Sequence, residues 1–393
     1  MLLPHLAQAG QENKMATFTQ YTKKNGTKAW QYQTYLGIDE VTGKKKYTTR
    51  RGFISKKSAQ LALNKLLLDV EENGFNKIKV STFEELYERW LKLYENKVKP
   101  STFYNTDNMM QTVILPKFGK LRLDKITVSY CQSVLNEWHE NYRSFGQYKI
   151  KLNLVLDFAV SLELMDSNPM KKTQMPRKAE KEKKDNFYTR EELLDFLTLT
   201  KKDIDPKKHV FFYLLAFTGM RVSEALALQW QDIDFFNKTV TVAKTVAKVK
   251  SGIIVQTPKT KSSARVLDVD TQTIQVLKSW QSQQRELYFK RGFNTNSPEQ
   301  FLFTTFGNRL INSSAVAAWL ELLYREHTHL KKITPHGLRH THCSLLFTAG
   351  VSIKEVQQRL GHTDIHTTMN IYAHVMPEQK KEVADKFAQF MNL

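Results

Sequence analysis

The sequence predicts a multidomain chain, mainly α-helical with small β elements. Three observations predict it. A length of 393 residues suits two or three cores, and 41% apolar residues mark a folded chain. The hydrophobic pattern alternates before residue 60, turns to a helical period, and alternates again only in the stretch after residue 239. Polar punctuation then separates the pieces, with SNP at 167–169 and the charged run MKKTQMPRKAEKEKKDN at 170–186. These divide the chain into an N-terminal module (15–75), a helical domain (80–169), a linker (170–186) and a C-terminal domain (187–393).

In the first module, WQYQTYLG and KKKYTTRRGF alternate as strands, and Asn25-Gly26 reads as a hairpin turn. Three short strands followed by a helix over about 57–74 are expected. Residues 15–60 hold ten Lys or Arg against two acids. A small basic sheet of this kind can enter a major groove and set its charges on phosphates, with Lys44, Lys45, Lys46, Arg50 and Arg51 as the candidates. A solubilising basic face is the plainer alternative. Residues 1–14 lack the basic start of a secretory signal and are assigned no fold.

The helical domain opens with a Thr82/Glu85 capping box. Phe83, Leu86, Tyr87, Trp90, Leu91 and Tyr94 follow as an apolar stripe, read as core. A second helix starts after Pro100, a third spans about 127–142, and a fourth about 145–164. In the C-terminal domain a second capping box, Thr189/Glu192, precedes EELLDFL. HVFFYLLAFTG is apolar on every side and reads as a buried helix. KTVTVAKTVAKVKSGIIVQTPKTKSSARVLDVD alternates over two or three strands of one small antiparallel sheet. SSAVAAWLELLYRE is a packed helix, and Ser352 caps SIKEVQQRLG.

Composition narrows the function. A formal charge of +20 points to a polyanionic partner, though charge alone leaves nucleic acid, ribosome and membrane surface open. No apolar run approaches the roughly 20 residues that span a bilayer. The two cysteines, Cys131 and Cys343, lie in helical context and read as buried small hydrophobes in a reducing compartment. No compact ligand spacing suggests a metal site.

The chemistry concentrates in TPHGLRHTHCSLLFTAGVSIKEVQQRLGHTDIHTTMNIYAH. His336 and Arg339 stand three apart, one helical face. His362 follows Gly361, a residue suited to ending a helix, and Tyr372 comes ten residues later. A phenol, with a pKa of about 10, attacks well only where its target is electrophilic and the growing charge is neutralised. A phosphodiester gripped by guanidiniums is such a target. That chemistry calls for a second arginine and a proton donor. Arg221 in FTGMRVSEALALQW supplies the arginine, and Glu224, three residues on, either anchors it or is a capping acid. His340 and His342 flank the motif and read as structural.

Arg221, HxxR, Gly-His and the final Tyr, in this order over about 185–380, resemble the tyrosine recombinase (phage integrase) family. The earlier segments resemble the arm-binding and core-binding domains of integrases from phages and integrative elements of Gram-positive bacteria. The resemblance implies a three-stranded β-plus-helix arm-binding domain, a four-helix SAM-like core-binding domain and a mixed α/β catalytic domain. It implies that Arg221 and Arg339 hold the scissile phosphate, that His336 and His362 assist, and that Tyr372 forms a 3′-phosphotyrosine. A lysine on a β-hairpin protonates the 5′ oxygen. Lys261 in PKTKSSARV is the choice and Lys259 the alternative, because a period of two puts both on one face. Arg265 is expected on phosphate or on the sheet face.

The implied partners are double-stranded DNA at core-type and arm-type sites, a tetramer on that DNA, and accessory excision or DNA-bending proteins, in the cytoplasm of a bacterial host. A C-terminal stripe of Val383, Phe387 and Phe390 or Met391 would dock on a neighbouring subunit. No cofactor is called for: the phosphotyrosine conserves the bond energy, and no P-loop or acidic metal cluster is present. The rival readings are a type IB topoisomerase, a host Xer-like recombinase and a non-catalytic DNA-binding protein.

Overall fold

The computed structural model describes residues 16–23, 26–38, 43–73, 82–177, 185–258 and 263–361, together with Met369 and Met391. Asn25, Lys259, Lys261, His362, Tyr372 and the tail residues Val383, Phe387 and Phe390 lie outside the described residues. The chain divides into two compact units. One comprises residues 1–88, 118–131 and 153–172, and the other 89–117, 132–152 and 173–393.

The first unit begins with strands β1 (Thr17–Thr22), β2 (Lys28–Ile38) and β3 (Lys45–Phe53), antiparallel in the order 1-2-3, and helix α1 (Lys56–Asn73). Tyr32 in the central strand is fully buried, with Phe18 at 6.1 Å on one side and Phe53 at 5.6 Å on the other. Ala59 and Leu63 of α1 close that cluster. Strand alternation puts Trp30, Tyr32 and Thr34 on this face. The opposite face collects Gln31 and Gln33 with their cross-strand partners Thr19, Thr17, Arg51 and Thr49.

The helical stretch contains α2 (Phe83–Glu95), α3 (Pro100–Met109), a π-helical turn Met110–Ile114 leading straight into α4 (Leu115–Phe118), α5 (Val128–Asn141) and α6 (Phe145–Ser161). With α3 and α4 continuous, these are the four helices expected. The Glu85 amide donates to Thr82 Oγ1 at 3.3 Å, and Pro100 opens α3 where its missing N–H costs nothing. In the first unit Phe83 packs on Phe118 at 5.8 Å. In the second, Trp90 stacks on Tyr94 at 4.3 Å, and Trp138 meets Tyr148 edge-on.

The rest of the second unit holds α7 (Arg190–Asp203), α8 (Pro206–Thr218) and α9 (Val222–Ala225), and then strands β4 (Ile233–Asp234), β5 (Thr239–Val242), β6 (Thr245–Val249), β7 (Gly252–Gln256) and β8 (Arg265–Asp268). Helices α10 (Thr271–Phe289), α11 (Ser313–Glu326), α12 (Gly337–Thr348) and α13 (Ile353–Leu360) complete it. Helix α8 is the axis of the core: Phe211, Phe212, Leu214 and Leu215 are buried, and it packs on α7, α10 and α12. Phe211 meets Phe303 and Trp319 edge-on at 5.0 and 5.7 Å. The indoles of Trp230 and Trp280 donate to Gln284 Oε1 and to the Leu302 carbonyl, so neither is buried unpaired.

One expectation needs correction. The stretch after 239 forms four strands in two separate sheets. β5 pairs with β4 and, skipping the next two strands, with β8, Val240 opposite Leu267, while among the described residues β6 and β7 form a separate hairpin. Alternation reports which residues are extended and is silent on which distant strand they bond.

The expected caps of the C-terminal domain are present. Thr189 and Glu192 form a reciprocal box on α7, and Ser352 and Glu355 form one on α13. Ser352→Ala should lower stability by about 1 kcal/mol, read as a drop in the urea midpoint. An unchanged midpoint would show that α13 needs no cap.

Candidate active site

The site starts where α8 stops. Gly219 takes φ 63°, and a Cβ there would lie 2.6 Å from both His342 Cδ2 and Leu360 Cδ2, so glycine is required by conformation and by space alike. The turn delivers Arg221 to the residue before α9 and Glu224 to its first turn. The Glu224 carboxylate accepts from the Arg221 amide at 3.0 Å and from Arg221 Nη1 at 2.7 Å. It is therefore both a cap and an anchor. Arg221 keeps 36% of its side chain exposed, whereas Glu224 keeps 3%.

Arg265 on β8 completes the pair. Its Nη2 donates to Glu224 Oε2 at 3.1 Å, its Nε to the Arg359 carbonyl at 2.8 Å, and its Nη1 to the Ser263 carbonyl at 3.1 Å. Its side chain is only 7% exposed. This corrects the expectation that Arg265 contacts DNA: its guanidinium faces inward and is committed to Glu224 and to two carbonyls. Burial alone would raise the Glu224 pKa, but Arg265, the Arg221 amide and the Arg221 charge hold it below the ordinary carboxylate value.

Arg339, in the first turn of α12, is 2% exposed. Nη1 donates to the Gly219 carbonyl and Nη2 to the Leu360 carbonyl, each at 2.8 Å. It thus ties the end of α8 to the end of α13, where Gly361 terminates the helix in the left-handed region with φ 67°. Both of these carbonyl acceptors are neutral. Burial, aided by the charges of Arg221 and Arg265 and opposed by Glu224, pushes the Arg339 pKa down to about 9, which leaves it cationic at neutral pH.

His336 immediately precedes α12, its imidazole edge-on to His340 at 4.8 Å. The residue as a whole is exposed. Desolvation by the surrounding protein, then His340, Arg339 and Arg221, lowers its pKa to about 4. Neutral at pH 7, it can accept a proton or donate one hydrogen bond. His342 is 8% exposed, with Nδ1 2.8 Å from the Ala216 carbonyl. Arg359 Nε donates to His342 Nε2 at 3.1 Å, so the ring is neutral with its proton on Nδ1. Burial first, then Arg359, lowers its pKa to about 4. Arg359 also donates to the Asp268 and Phe217 carbonyls.

The structure therefore gathers Arg221, Glu224, Arg265, His336 and Arg339 into one electrostatic neighbourhood. Three guanidiniums face one carboxylate, with neutral imidazoles beside them, a field suited to a monoanionic phosphodiester. Sequence reasoning missed His342 and Arg359 as its supports, and nothing in their spacing announces that they meet. Lys259, Lys261, His362 and Tyr372 are outside the described residues. In the N-terminal module the candidate cations separate by alternation. Lys45 and Arg51 share the polar face opposite α1, Lys46 and Arg50 fall on the α1 side, and Lys44 precedes the strand. Cys131 and Cys343 are free and buried, and desolvation raises their thiols to about 11 and about 12.

Two consequences can be measured. Glu224→Ala strands Arg265 in the interior and should destabilise the protein by about 3–5 kcal/mol, the usual cost of removing one partner of a buried pair. A urea midpoint within error of the parent would rule out that role. His336 and His342 titrate near 4 when folded and at about 6.5 when unfolded. The unfolded chain thus binds protons that the folded chain refuses, so this contribution is intact above about pH 6.5 and is lost as pH falls toward 4. Denaturation at stepwise lower pH should show the midpoint falling across that window, and a flat profile would contradict neutral imidazoles.

Comparison with known proteins matches this framework. A profile described as "Phage integrase family" covers residues 186–379, one for the phage integrase N-terminal SAM-like domain covers 82–139, and one for the arm DNA-binding domain covers 18–70. The ICEBs1 integrase of Bacillus subtilis (strain 168) is 29% identical over 374 residues, spanning 93% of this chain and 98% of its own length. The Tn1549 transposon integrase, solved in complex with a circular intermediate DNA, superposes with a TM-score of 0.65 at 21% identity, over 79% of this chain and 100% of that one. A lambda integrase tetramer bound to a Holliday junction gives 0.53 at 16% identity, over 90% and 94%. At these identities the two structures speak to the fold. With all three profiles in order along the sequence, and a relative that matches nearly end to end, the chain belongs to the phage integrase family, the tyrosine recombinases that cleave and rejoin DNA.

Proposed function

We propose that this recombinase integrates and excises a mobile element through a 3′-phosphotyrosine formed on Tyr372. Arg221 and Arg339 hold the non-bridging oxygens of the scissile phosphate. His336 and His362 stabilise the pentacovalent state, and neutral His336 also serves as base toward the phenol. The Tyr372 oxygen bonds to phosphorus as the bond to the 5′ oxygen breaks, and Lys261, or Lys259 in the alternative register, gives that oxygen its proton. A 5′ hydroxyl from a partner strand reverses the step, so no external energy source enters. The observation that carries this reading is the joint fastening of Arg221 and Arg339 around the turn at Gly219, beside the end of the helix that leads to His362 and Tyr372.

The domains act as 15–75 on arm-type DNA, 80–169 on one side of the core site, 170–186 as linker and 187–393 as catalyst. Lys45 and Arg51, with Gln31, Gln33 and Thr49 on the same face, enter the groove of arm-type DNA, while Lys44, Lys46 and Arg50 serve the phosphates at its edge. The arm DNA-binding match supports a mobile-element integrase over a topoisomerase or a host dimer-resolving enzyme. Assembly on DNA is a tetramer, by analogy with the lambda integrase tetramer, and the C-terminal stripe docks between subunits. Accessory excision or DNA-bending proteins set direction, and the setting is the bacterial cytoplasm.

Incubation with nicked attachment-site duplex should trap a covalent protein–DNA species that peptide mapping places on Tyr372. Tyr372→Phe should bind the duplex and form none. An adduct that persists through denaturation in that variant identifies another nucleophile. Arg221→Ala and Arg339→Ala should slow cleavage by about 10²–10³-fold, and a parental rate in either removes it from the site.

A further inference from the structure

Lys99 immediately precedes α3. Its Nζ donates to the Pro258 carbonyl at 2.6 Å, to the Thr257 carbonyl at 3.0 Å and to Thr257 Oγ1 at 3.3 Å. An ammonium has three N–H bonds, and these acceptors take all of them. A lysine in so basic a chain would ordinarily be spent on phosphate. Here its whole donor capacity goes to two consecutive residues just beyond β7. None of the three acceptors is charged, so the contact supplies direction and not charge neutralisation.

Neighbouring contacts act in the same sense. Gln256 Nε2 donates to Ser101 Oγ at 2.9 Å, and Lys248 Nζ lies 5.9 Å from the ring centroid of Tyr104, while α3 runs along β6. At the same open end of the hairpin, where Thr245 is opposite Gln256, Lys244, just before β6, pairs with Asp232 at 2.8 Å. The β6–β7 hairpin is thus held on both strands at its open end, the entering strand through Lys244 and the departing strand through Lys99.

We propose that Lys99 is a positioning residue for protonation of the leaving 5′ oxygen. Lys259 follows Pro258 directly, and Lys261 lies three residues beyond it. Three residues span at most about 10 Å of backbone, so anchoring Pro258 fixes the point from which the chain carrying the lysine departs. This rests on the reading of Lys261 or Lys259 as the general acid. The step itself is unchanged: the phenolic oxygen bonds to phosphorus, the P–O5′ bond breaks, and the lysine proton passes to O5′.

The test compares two nicked attachment-site duplexes, one with the natural 5′-bridging oxygen and one with sulfur in its place. A thiolate departs without a proton donor, so the sulfur duplex bypasses the general acid. Full-length Lys99→Met should cleave the oxygen duplex about tenfold or more slowly, since small misplacements of a catalytic group carry such costs, and the sulfur duplex at the parental rate. Parental cleavage of the sulfur duplex also demonstrates that the variant is folded and binds DNA. Equal slowing on both duplexes, or slowing on neither, overturns the proposal. Lys261→Met and Lys259→Met run beside it. The general acid should lose about 10²-fold or more on oxygen and recover on sulfur. If neither lysine variant recovers, the general-acid reading fails, whatever Lys99 does. If one recovers and Lys99→Met does not, only the positioning role fails.

Discussion

A single buried carboxylate organises the catalytic face. Glu224 lies between Arg221 and Arg265, accepting from both guanidiniums and from the Arg221 amide. A carboxylate in a protein interior is costly unless paired and hydrogen-bonded, and here each oxygen has a partner. The arrangement leaves an asymmetry. Arg265 is enclosed and serves Glu224, while Arg221 retains exposed surface. One guanidinium is enclosed, and the other, similarly held, stays open to solvent.

The second support is the C-terminus of α13. The last carbonyls of a helix have no intrahelical donors and carry the negative end of its dipole. Arg265 takes the carbonyl of Arg359 and Arg339 takes that of Leu360. Two cations of the site are thereby oriented by the same helix end, and α13 is tied to α8 and β8 in return. Arg359 adds bonds to α8, to His342 and to the carbonyl at the end of β8. Because the hydrogen bonds of Arg339 go to carbonyls, its positive charge is offset by the more distant Glu224 carboxylate. The neutrality of His342 follows from burial beside guanidiniums, and the cationic neighbours of His336 act on its imidazole in the same sense.

The β modules contribute by opposite means. In the N-terminal sheet, alternation sorts cations between a polar open face and the face that packs on α1, and the buried ring of Tyr32 sets which is which. In the catalytic domain, among the described residues, the β6–β7 hairpin pairs with no third strand, and ion-pair and hydrogen-bond contacts of Lys244 and Lys99 hold its open end.

Much of this was legible in the sequence because it depends on local rules. Caps at Thr189 and Ser352, the helix-ending Gly219 and Gly361, the apolar α8 and the alternation of the first three strands are properties of a few adjacent residues. So is the i, i+3 proximity of Arg221 and Glu224. The order of Arg221, HxxR, Gly-His and Tyr was sufficient to indicate the family. Tertiary structure alone decided the pairing of β5 with β8, the inward turn of Arg265, the seat of Arg339 on two carbonyls from different helices, and the meetings of His342 with Arg359 and of Lys99 with Pro258. Each of these joins residues far apart in the chain, and the energy of a buried hydrogen bond depends on where distant backbone places its partner, which no local pattern encodes.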